Sequence, residues 1–285
     1  MYALARRTGD GMMARPDSRI AIMSASQSPA PTGASIQDLV ARQFGPQANA
    51  YVTSAVHAQG EDLEALAAAL EGCASARLLD LGCGGGHVSF TAAPRVREVV
   101  ACDLSPDMLA AVTAEATRRG LGNISTVEGV AEALPFADAG FDRVVSRYSA
   151  HHWRDLDAGL REARRVLAPQ GRAVFMDVVA AENPLLDSFL QTLEMLRDPS
   201  HVRDYSVPEW IAAAARAGLR LEAVVRRRLR LEFGPWVTRI RTPEAHIPAI
   251  RSLQDSAAEE VRRHFGIEAD GTFTLDTASL TFAPA

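Results

Sequence analysis

The sequence predicts an α/β protein whose strands form a mostly parallel sheet with helices on both faces. Short apolar runs that fit buried strands alternate with longer segments of helical periodicity. Such alternation favours parallel strands joined by helical crossovers. A glycine loop follows the first of these strands, and in sheets of this kind ligands bind at the carboxyl ends of the strands.

The first predicted elements surround the glycine loop. Leu63, Leu66 and Leu70 recur at helical spacing, and Gly72 after them is a natural end for this helix. Strands are then predicted at 77–81, 98–102, 124–128, 143–147 and 172–178, and helices at 87–92, 106–119 and 156–167. The helix over 106–119 has a start signal in Ser105-Pro106 and a stop signal in Gly120.

The last third continues the pattern with larger helical segments. Helices are predicted at 188–197 and 208–217, a strand at 219–233, a helical segment at 236–265 and a final strand at 273–282. The segments at about 184–217 and 234–268 are expected to form a helical insert that covers the site as a lid. A packing extension or a dimer surface explains the same apolar faces equally well.

The glycine loop is the first candidate ligand site. Gly82, Gly84 and Gly86 follow the strand that carries Asp80, and glycines let a backbone approach a ligand closely. The helix after the loop offers free N–H groups at its N-terminus. An ordinary tight turn has the same composition, so the loop alone does not decide between the two.

Nearby residues narrow the choice of ligand. Asp103 follows the next predicted strand, 17 residues after Gly86. An acidic residue at this position binds the ribose hydroxyls of an adenosine cofactor. An acid that caps the following helix would explain Asp103 as well. A dinucleotide loop requires a small residue where this chain has His87. Asp80 would repel a pyrophosphate but attract an ammonium group. The loop therefore favours a ligand with an amino-acid end.

Several ordered segments resemble the class I S-adenosylmethionine (SAM) dependent methyltransferases, in particular the ubiquinone/menaquinone-biosynthesis-like group that acts on small molecules. The resemblance spans roughly residues 76–180 and is carried by segments 78–87, 100–109, 129–136, 141–145, 151–153 and 165–171. The flank over 43–60 looks like the helix that leads into such a domain. The resemblance implies a Rossmann-like, doubly wound, seven-stranded sheet with an antiparallel terminal hairpin, in a methyltransferase domain over 35–285 whose core is at about 60–180.

The resemblance also assigns roles to individual residues. It places the glycine loop against the methionine part of SAM, with Asp80 near the amino group and Asp103 on the ribose. Leu104 and Met108 would flank the adenine, although core packing explains them as well. The full set expected to bind SAM or its product S-adenosyl-L-homocysteine is Asp80, Gly82, Cys83, Gly84, Gly86, Asp103, Leu104, Met108, Ala131, Glu132 and Arg147.

One position departs from the family pattern. The family usually has an aspartate that accepts a hydrogen bond from the adenine amino group, and this chain has Val130 there. The N–H group of Ala131 can still serve adenine. Loss of one hydrogen bond costs about 0.5 to 1.5 kcal/mol, which weakens binding without abolishing it.

The chemistry of methyl transfer requires little from the protein beyond alignment and exclusion of water. A general base is needed only where the acceptor must lose a proton. His151 and His152 follow the fourth strand and are the candidate catalytic residues, because imidazole titrates near neutral pH. In the family this segment often shapes the pocket without acting on protons. The candidate substrate contacts are Tyr51, His57 and Tyr148, and Arg147 beside Tyr148 also suits an anionic or phenolic acceptor.

Composition indicates a soluble enzyme. The 285 residues are 47% hydrophobic and 23% charged, and the net charge of −5 argues against a nucleic-acid-binding face. The basic run at 226–228 is expected to be a solvated strand edge. Cys73, Cys83 and Cys102 lack metal-ligand spacing, so no metal is predicted, and a reducing cytoplasm is the simplest setting. No stretch approaches the ~20 apolar residues of a transmembrane helix.

Residues 1–34 differ in kind from the rest. They contain several arginines and a stretch rich in Ser, Pro and Ala, which indicates a disordered tail. An Arg-rich targeting peptide fits less well because Asp10 and Asp17 interrupt it. A mis-assigned upstream start codon explains the segment equally well.

Three functions are compatible with these observations. The leading one is transfer of a methyl group from SAM to a small molecule, at carbon or oxygen more than at nitrogen. His87 and Asp80 argue against a nicotinamide-dependent oxidoreductase. Val130 gives weak support to a third hypothesis, a SAM-binding protein without catalysis. The acceptor cannot be named, because variable segments set specificity, and both a monomer and a homodimer are compatible with the sequence.

Overall fold

The computed structural model describes residues 33–48, Val52 and residues 60–285. Nearly all of the predicted tail, and the segment that holds Tyr51 and His57, therefore lie outside the described residues. One compact unit runs from Ser35 to Ala285. Over the described ranges, every helix falls short of the length or the hydropathy that a membrane span needs.

Within the described chain, seven strands form one sheet. They are β1 (Arg77–Leu81), β2 (Glu98–Asp103), β3 (Ile124–Glu128), β4 (Phe141–Arg147), β5 (Leu167–Val178), β6 (Leu219–Leu231) and β7 (Phe273–Pro284). Their order is β3-β2-β1-β4-β5-β7-β6. Strands β1 to β5 pair in parallel, and β7 is antiparallel to both of its neighbours. The predicted mostly parallel sheet with an antiparallel terminal pair is confirmed.

Helices cover both faces of this sheet. They are α1 (Ile36–Phe44), α2 (Glu61–Ala69), α3 (His87–Ala92), α4 (Pro106–Arg119), α5 (Leu156–Val166), α6 (Pro184–Arg197), α7 (Val207–Arg216), α8 (Phe233–Arg239), α9 (His246–Asp255) and α10 (Glu259–Phe265). On β1, Leu78 packs with α2 and α3, whereas Leu79 and Leu81 belong to the core shared with α5. Burial of both faces is typical of parallel strands joined by helical crossovers. The doubly wound prediction is confirmed.

Two central strands begin earlier than predicted. Strand β4 starts at Phe141 and β5 at Leu167, because these two residues pair with each other before a shift in register. Gly171 lies in the irregular stretch that follows. A Cβ atom there would lie 2.5 Å from Leu167 Cδ1 and 2.9 Å from the carbonyl oxygen of Asp142, so the stretch depends on glycine.

The carboxyl edge of the sheet carries a helical cap, which we define as α6, α8, α9 and α10. Strands β6 and β7 pair from Leu219 with Pro284 to Leu231 with Phe273, and so extend past the last pair between β5 and β7, which joins Val178 to Thr277. The cap helices have a hydrophobic core of their own, which includes Phe189, Leu193, Trp236, Ile250, Val261 and Phe265. The cap is thus built on the extended end of the terminal strand pair.

The cap differs from the predicted insert in two respects. Helix α7 does not belong to it, because Trp210 and Ala214 are buried in the main core, where the ring of Trp210 lies 5.3 Å from that of Phe175 on β5. The predicted helical segment over 236–265 is also interrupted. Pro243 lies between α8 and α9, where its ring cannot continue a helix.

Candidate active site

The glycine loop turns the chain sharply between β1 and α3. Gly82, Gly84 and Gly86 have φ angles of 69°, 47° and 76°, in the region that favours glycine. The N–H groups of Gly82 and Cys83 donate to the carbonyl of Cys102 at 2.8 and 2.9 Å. The loop is therefore fixed to the carboxyl end of β2.

Two of the glycines are required by close packing. A Cβ atom on Gly82 would lie 1.9 Å from Ser149 Oγ. A Cβ atom on Gly86 would lie 2.9 Å from Val112 Cγ2 and 3.0 Å from Phe90 Cζ. Gly86 thus lies behind the loop, and unlike the other predicted SAM contacts of the loop it does not line the cavity described below. Its role in the structure is to let the loop pack on α4.

Asp103 fixes the loop from the neighbouring strand. Its Oδ2 accepts the N–H of Gly84 at 2.8 Å, and its Oδ1 accepts the N–H of Ser105 at 2.9 Å. Burial raises the pKa of this carboxyl group, and the backbone donors oppose that shift. Because Asp103 also lines the cavity, its remaining lone pairs can accept hydrogen bonds from the hydroxyl groups of a ligand.

Asp80 is the buried carboxyl group of β1, only 1% exposed. Its Oδ2 accepts hydrogen bonds from the N–H and the hydroxyl of Ser89, at 3.0 and 2.7 Å. Burial raises the pKa of Asp80 to about 7, against the lowering effect of these two bonds. Since a nearby positive charge stabilises the ionised form of a carboxyl group, this position suits a ligand with an ammonium group.

One cavity at the carboxyl edge of the sheet brings the predicted cofactor residues together. It is lined by Asp80, Gly82, Cys83, Gly84, Asp103, Leu104, Met108, Ala131, Glu132 and Arg147, among others. Leu104, Met108 and Val130 supply apolar walls beside Asp103. Glu132 has a structural contact as well, because its Oε1 accepts the N–H of Arg154 at 2.8 Å just before α5. We call this space the cofactor cavity.

Arg147 has a strong internal partner. Its Nε and Nη2 donate to the two carboxylate oxygens of Asp62 at 2.6 and 3.1 Å, and both side chains are largely buried. Its guanidinium also lies 4.7 Å from the centre of the Tyr148 ring. The pairing joins α2 to the end of β4, so Arg147 is held as a wall of the cavity.

A second cavity, of about 600 Å³, adjoins the first. Both cavities are lined by Phe44, Arg147, Tyr148 and His152. Tyr148 has a φ of 49°, which is strained for a residue with a side chain, and burial raises its pKa to about 12. The cap residues Arg197, Trp236 and Ile240 close the far side of the second cavity. We call it the acceptor cavity.

His151 lines the acceptor cavity and is paired with Asp177 at the end of β5. The distance from His151 Nδ1 to Asp177 Oδ1 is 2.6 Å, and the other carboxylate oxygen accepts the N–H of Ala150 at 3.0 Å. Burial lowers the pKa of His151, but the charge and hydrogen bond of Asp177 outweigh it and raise the pKa to about 9. His151 is therefore a cation at neutral pH.

His152, unlike His151, has a lowered pKa. Burial, followed by the positive charge of His151, lowers its pKa to about 4. Its Nδ1 lies 3.1 Å from the carbonyl oxygen of Ser200, so Nδ1 carries the proton and Nε2 keeps its lone pair. Nε2 lies 4.0 Å from Asp198 Oδ2, close enough for that carboxylate to stabilise a proton taken up there. His152 is thus neutral at physiological pH, and of the two histidines it is the one whose ring has an unprotonated nitrogen.

The same region contains a group that resembles a metal site. His151, Asp177 and Asp204 offer ligand atoms within 4.8 Å of one another. Two atoms bound to one metal ion at bond lengths of ~2.0 to 2.2 Å stand roughly 3 Å apart or more. The 2.6 Å between His151 Nδ1 and Asp177 Oδ1 is shorter. These two atoms therefore share a proton, and we assign no metal to them.

Comparison with known proteins decides the family. The family described as "Methyltransferase domain" matches residues 79–175. The uncharacterized protein YafE of Escherichia coli is 51% identical over 191 residues, which cover 67% of this chain and 92% of that protein. The uncharacterized methyltransferase YcgJ of Bacillus subtilis is 36% identical over 224 residues, or 79% of this chain and 88% of YcgJ. The chain belongs to the class I SAM-dependent methyltransferases.

Structure supports the same assignment for this methyltransferase. The crystal structure of YcgJ superposes with a TM-score of 0.74 at 33% identity, covering 77% of this chain and 96% of YcgJ. A ubiquinone/menaquinone biosynthesis C-methyltransferase, UbiE of Nitrobacter hamburgensis, is 38% identical over 114 residues, only 39% of this chain and 45% of UbiE. The nicotinamide-dependent alternative is therefore not supported, as His87 and Asp80 predicted.

Several residues of the methyltransferase site were missed by the sequence reasoning. They are Asp62, at the start of a predicted helix, and Ser149, Asp198 and Ser200, and their roles depend on contacts between distant parts of the chain. Asp177 had a signal, because it lies at the end of a predicted strand, as Asp103 does. Tyr51 and His57 are outside the described residues, and their substrate contacts stay a prediction.

Proposed function

We propose that this methyltransferase transfers the methyl group of SAM to a carbon or oxygen atom of a small molecule. The observation that carries the proposal is the pair of adjoining cavities that share Phe44, Arg147, Tyr148 and His152. A methyl group held at this shared wall faces both spaces, as an in-line displacement requires. The likeness to UbiE, whose name describes a C-methyltransferase, favours carbon as the acceptor atom, although it covers only part of that protein.

The cofactor cavity fits SAM by its chemistry. Asp80 would pair with the ammonium group, and Asp103 would accept the ribose hydroxyls. Leu104 and Met108 would flank the adenine, with Ala131 donating its N–H. Gly82, Cys83 and Gly84 would place their backbone along the methionine part, while Glu132 and Arg147 close the cavity. S-adenosyl-L-homocysteine would occupy the same positions after transfer.

The chain supplies alignment and one proton acceptor. When bound, SAM provides a methyl group that its sulfonium already activates. His152 Nε2 would take up the proton that the methylated molecule loses, and Asp198 would stabilise the imidazolium that forms. His151, held as a cation by Asp177, would stabilise negative charge on an acceptor that has lost its proton. Tyr148 at the shared wall would orient the acceptor beside the methyl group.

Calorimetry with the full chain tests the proposal. SAM and S-adenosyl-L-homocysteine should bind, and NAD should not; the opposite pattern would overturn it. Labelled SAM incubated with a metabolite extract should then give a labelled small molecule. Tight SAM binding without any transfer would favour instead a SAM-binding protein that lacks catalysis, an alternative motivated by Val130 in place of the usual aspartate.

The two histidines give a prediction that does not depend on the acceptor. In the variant His151→Gln, the pKa of His152 should rise from about 4 by about one pH unit or more, because the positive charge next to it is lost. Proton NMR of the imidazole rings across a pH titration measures this shift. The variant His264→Gln, on α10 outside both cavities and beside Asp276, should leave the pKa of His152 unchanged. An unchanged pKa in His151→Gln would refute the assignment of the charge to His151.

A further inference from the structure

The far wall of the acceptor cavity has a chemistry that the methyl transfer itself does not use. We propose that this wall binds a carboxylate or phosphate group of an acceptor whose body contacts apolar side chains, and that Arg227 on β6 holds it. This inference rests on the proposed function, because it treats the second cavity as the acceptor site. It also revises the expectation that the basic run at 226–228 is only a solvated strand edge.

Arg227 is largely buried and weakly neutralised. Its side chain is 16% exposed, and its Nη1 donates to Ser279 Oγ at 2.9 Å. Across the described residues, the one carboxylate within ion-pair distance is Glu61, at 3.6 Å from Nε. The side chain of Glu61 is 82% exposed, and a solvated partner at this distance contributes little. The guanidinium therefore keeps donors and charge for a ligand.

Apart from Glu61, the carboxylates of the cavity wall have closer partners. Asp62 is held by Arg147, as described above. Glu194 lies 3.3 Å from Arg197, and Asp198 Oδ1 accepts two hydrogen bonds from Ser200, at 2.8 and 2.6 Å. These carboxylates are thus matched without Arg227. With His151 cationic as well, the cavity carries an excess of positive charge.

The neighbours of Arg227 on the strand are more exposed than Arg227. Arg226 and Arg228 are exposed, because successive side chains of a strand point to opposite faces. Arg228 is also bound to Asp276 at 2.9 Å. All three arginines line the cavity, but only Arg227 is largely buried.

Apolar side chains also line this cavity, together with the cations Arg197 and Arg239. The apolar residues are Leu229, Leu231 and Leu275 of the strand pair, Trp236 of the cap and Ile240. A charged group bound to Arg227 would thus belong to a molecule whose body contacts aliphatic and aromatic side chains. Such a body excludes water from the guanidinium and strengthens the ion pair.

The sheet register places the backbone of Arg227 relative to the wall shared by the two cavities. Arg227 pairs with Thr277 of β7, which pairs with Val178 at the end of β5. The wall shared with the cofactor cavity lies one strand further, at the end of β4. Three strand spacings separate β4 from β6, roughly 14 Å. This spacing is between backbones, and the side chain of Arg227 reaches Glu61 of α2, next to Asp62, so the anion site lies in the same cavity as the wall that Arg147 shares with the cofactor cavity.

Binding of matched probes to the full chain saturated with S-adenosyl-L-homocysteine tests the proposal. The probes are phenylbutyrate, its neutral amide and a phenylalkyl phosphate of similar length, measured by calorimetry. Either anion should bind about 10-fold or more tightly than the amide. Arg227→Gln should remove this preference, and Arg227→Lys should keep part of it. Arg220→Gln, an exposed position on the same strand outside the cavity, should behave like the unmodified protein.

The outcomes separate the two proposals. Arg227 does not line the cofactor cavity, so Arg227→Gln should bind S-adenosyl-L-homocysteine as tightly as the unmodified chain and unfold at the same temperature. If all three probes bind equally, if none binds, or if the anion preference survives in Arg227→Gln, the assignment of Arg227 is wrong and the methyl transfer stands. Failure of S-adenosyl-L-homocysteine itself to bind would contradict both the proposed methyl transfer and the assignment of Arg227. The tighter of the two anions identifies the acceptor group as a carboxylate or a phosphate.

Discussion

Replacing Asp103 with Asn is expected to weaken SAM binding by about 10- to 100-fold, the effect of losing a charged hydrogen-bond acceptor. Both carboxylate oxygens of Asp103 already accept backbone N–H groups, from Gly84 and Ser105. An amide has one acceptor oxygen and one donor NH₂, so the NH₂ would face a backbone N–H. The variant should therefore loosen the glycine loop and lose an acceptor for the ribose at the same time.

Calorimetry with SAM and with S-adenosyl-L-homocysteine measures the loss from Asp103→Asn. Both ligands should weaken equally, because the ribose is common to them. Asp107→Asn is the matched control: Asp107 lies in the first turn of α4, is exposed and does not line the cofactor cavity. It should bind SAM like the unmodified chain. A similar loss in both variants would mean that Asp103 acts only through the net charge of this turn.

The sequence signals around the cofactor cavity are local. Ser105 does cap α4, its Oγ accepting the N–H of Met108 at 3.4 Å, and Asp103 ends β2 beside the loop. Each signal combines an element end with a residue type, and the carboxyl ends of parallel strands meet at one edge. The meeting of the glycine loop and Asp103 at one edge of the sheet was therefore predictable from local signals, whereas the roles of the cofactor residues came from the family resemblance and stay a prediction.

The acceptor half depends on contacts that no local pattern encodes. Asp62 and Arg147 are 85 positions apart in the chain, and their pairing decides that Arg147 is a wall rather than a free cation. The opposite protonation of His151 and His152 depends on Asp177 and on burial, neither of which periodicity shows. The face of β6 that meets the cavity is likewise set by the register with β7.

Replacing Asp80 with Asn is expected to stabilise the ligand-free protein while it weakens SAM binding by about 100-fold or more, the typical effect of removing one partner of a buried charge pair. Burial raises the pKa of Asp80 to about 7, so folding disfavours its ionised form. The amide cannot ionise, and its oxygen can still accept the two hydrogen bonds from Ser89. Stability and cofactor affinity should therefore change in opposite directions.

The raised pKa of Asp80 also makes the free energy of unfolding depend on pH. An unfolded Asp80 loses its proton near pH 3.8, and the folded one near pH 7. Between these values the folded state holds the extra proton, so Asp80 lowers the free energy of unfolding by about 1.4 kcal/mol for each pH unit as the pH rises. The stability gained in Asp80→Asn should grow over this window and stay constant above pH 7. Thermal unfolding of both proteins without ligand measures it.

SAM binding should show the complementary trend, since an ammonium group pairs only with the ionised carboxylate. Affinity for SAM should rise with pH up to about 7 in the unmodified chain and stay flat in Asp80→Asn. The variant Ser89→Ala removes a hydrogen bond that lowers the pKa of Asp80, so the rise should move to higher pH. A variant Asp80→Asn that is less stable than the unmodified chain at pH 8, yet binds SAM equally well, would show that Asp80 holds the fold rather than the cofactor.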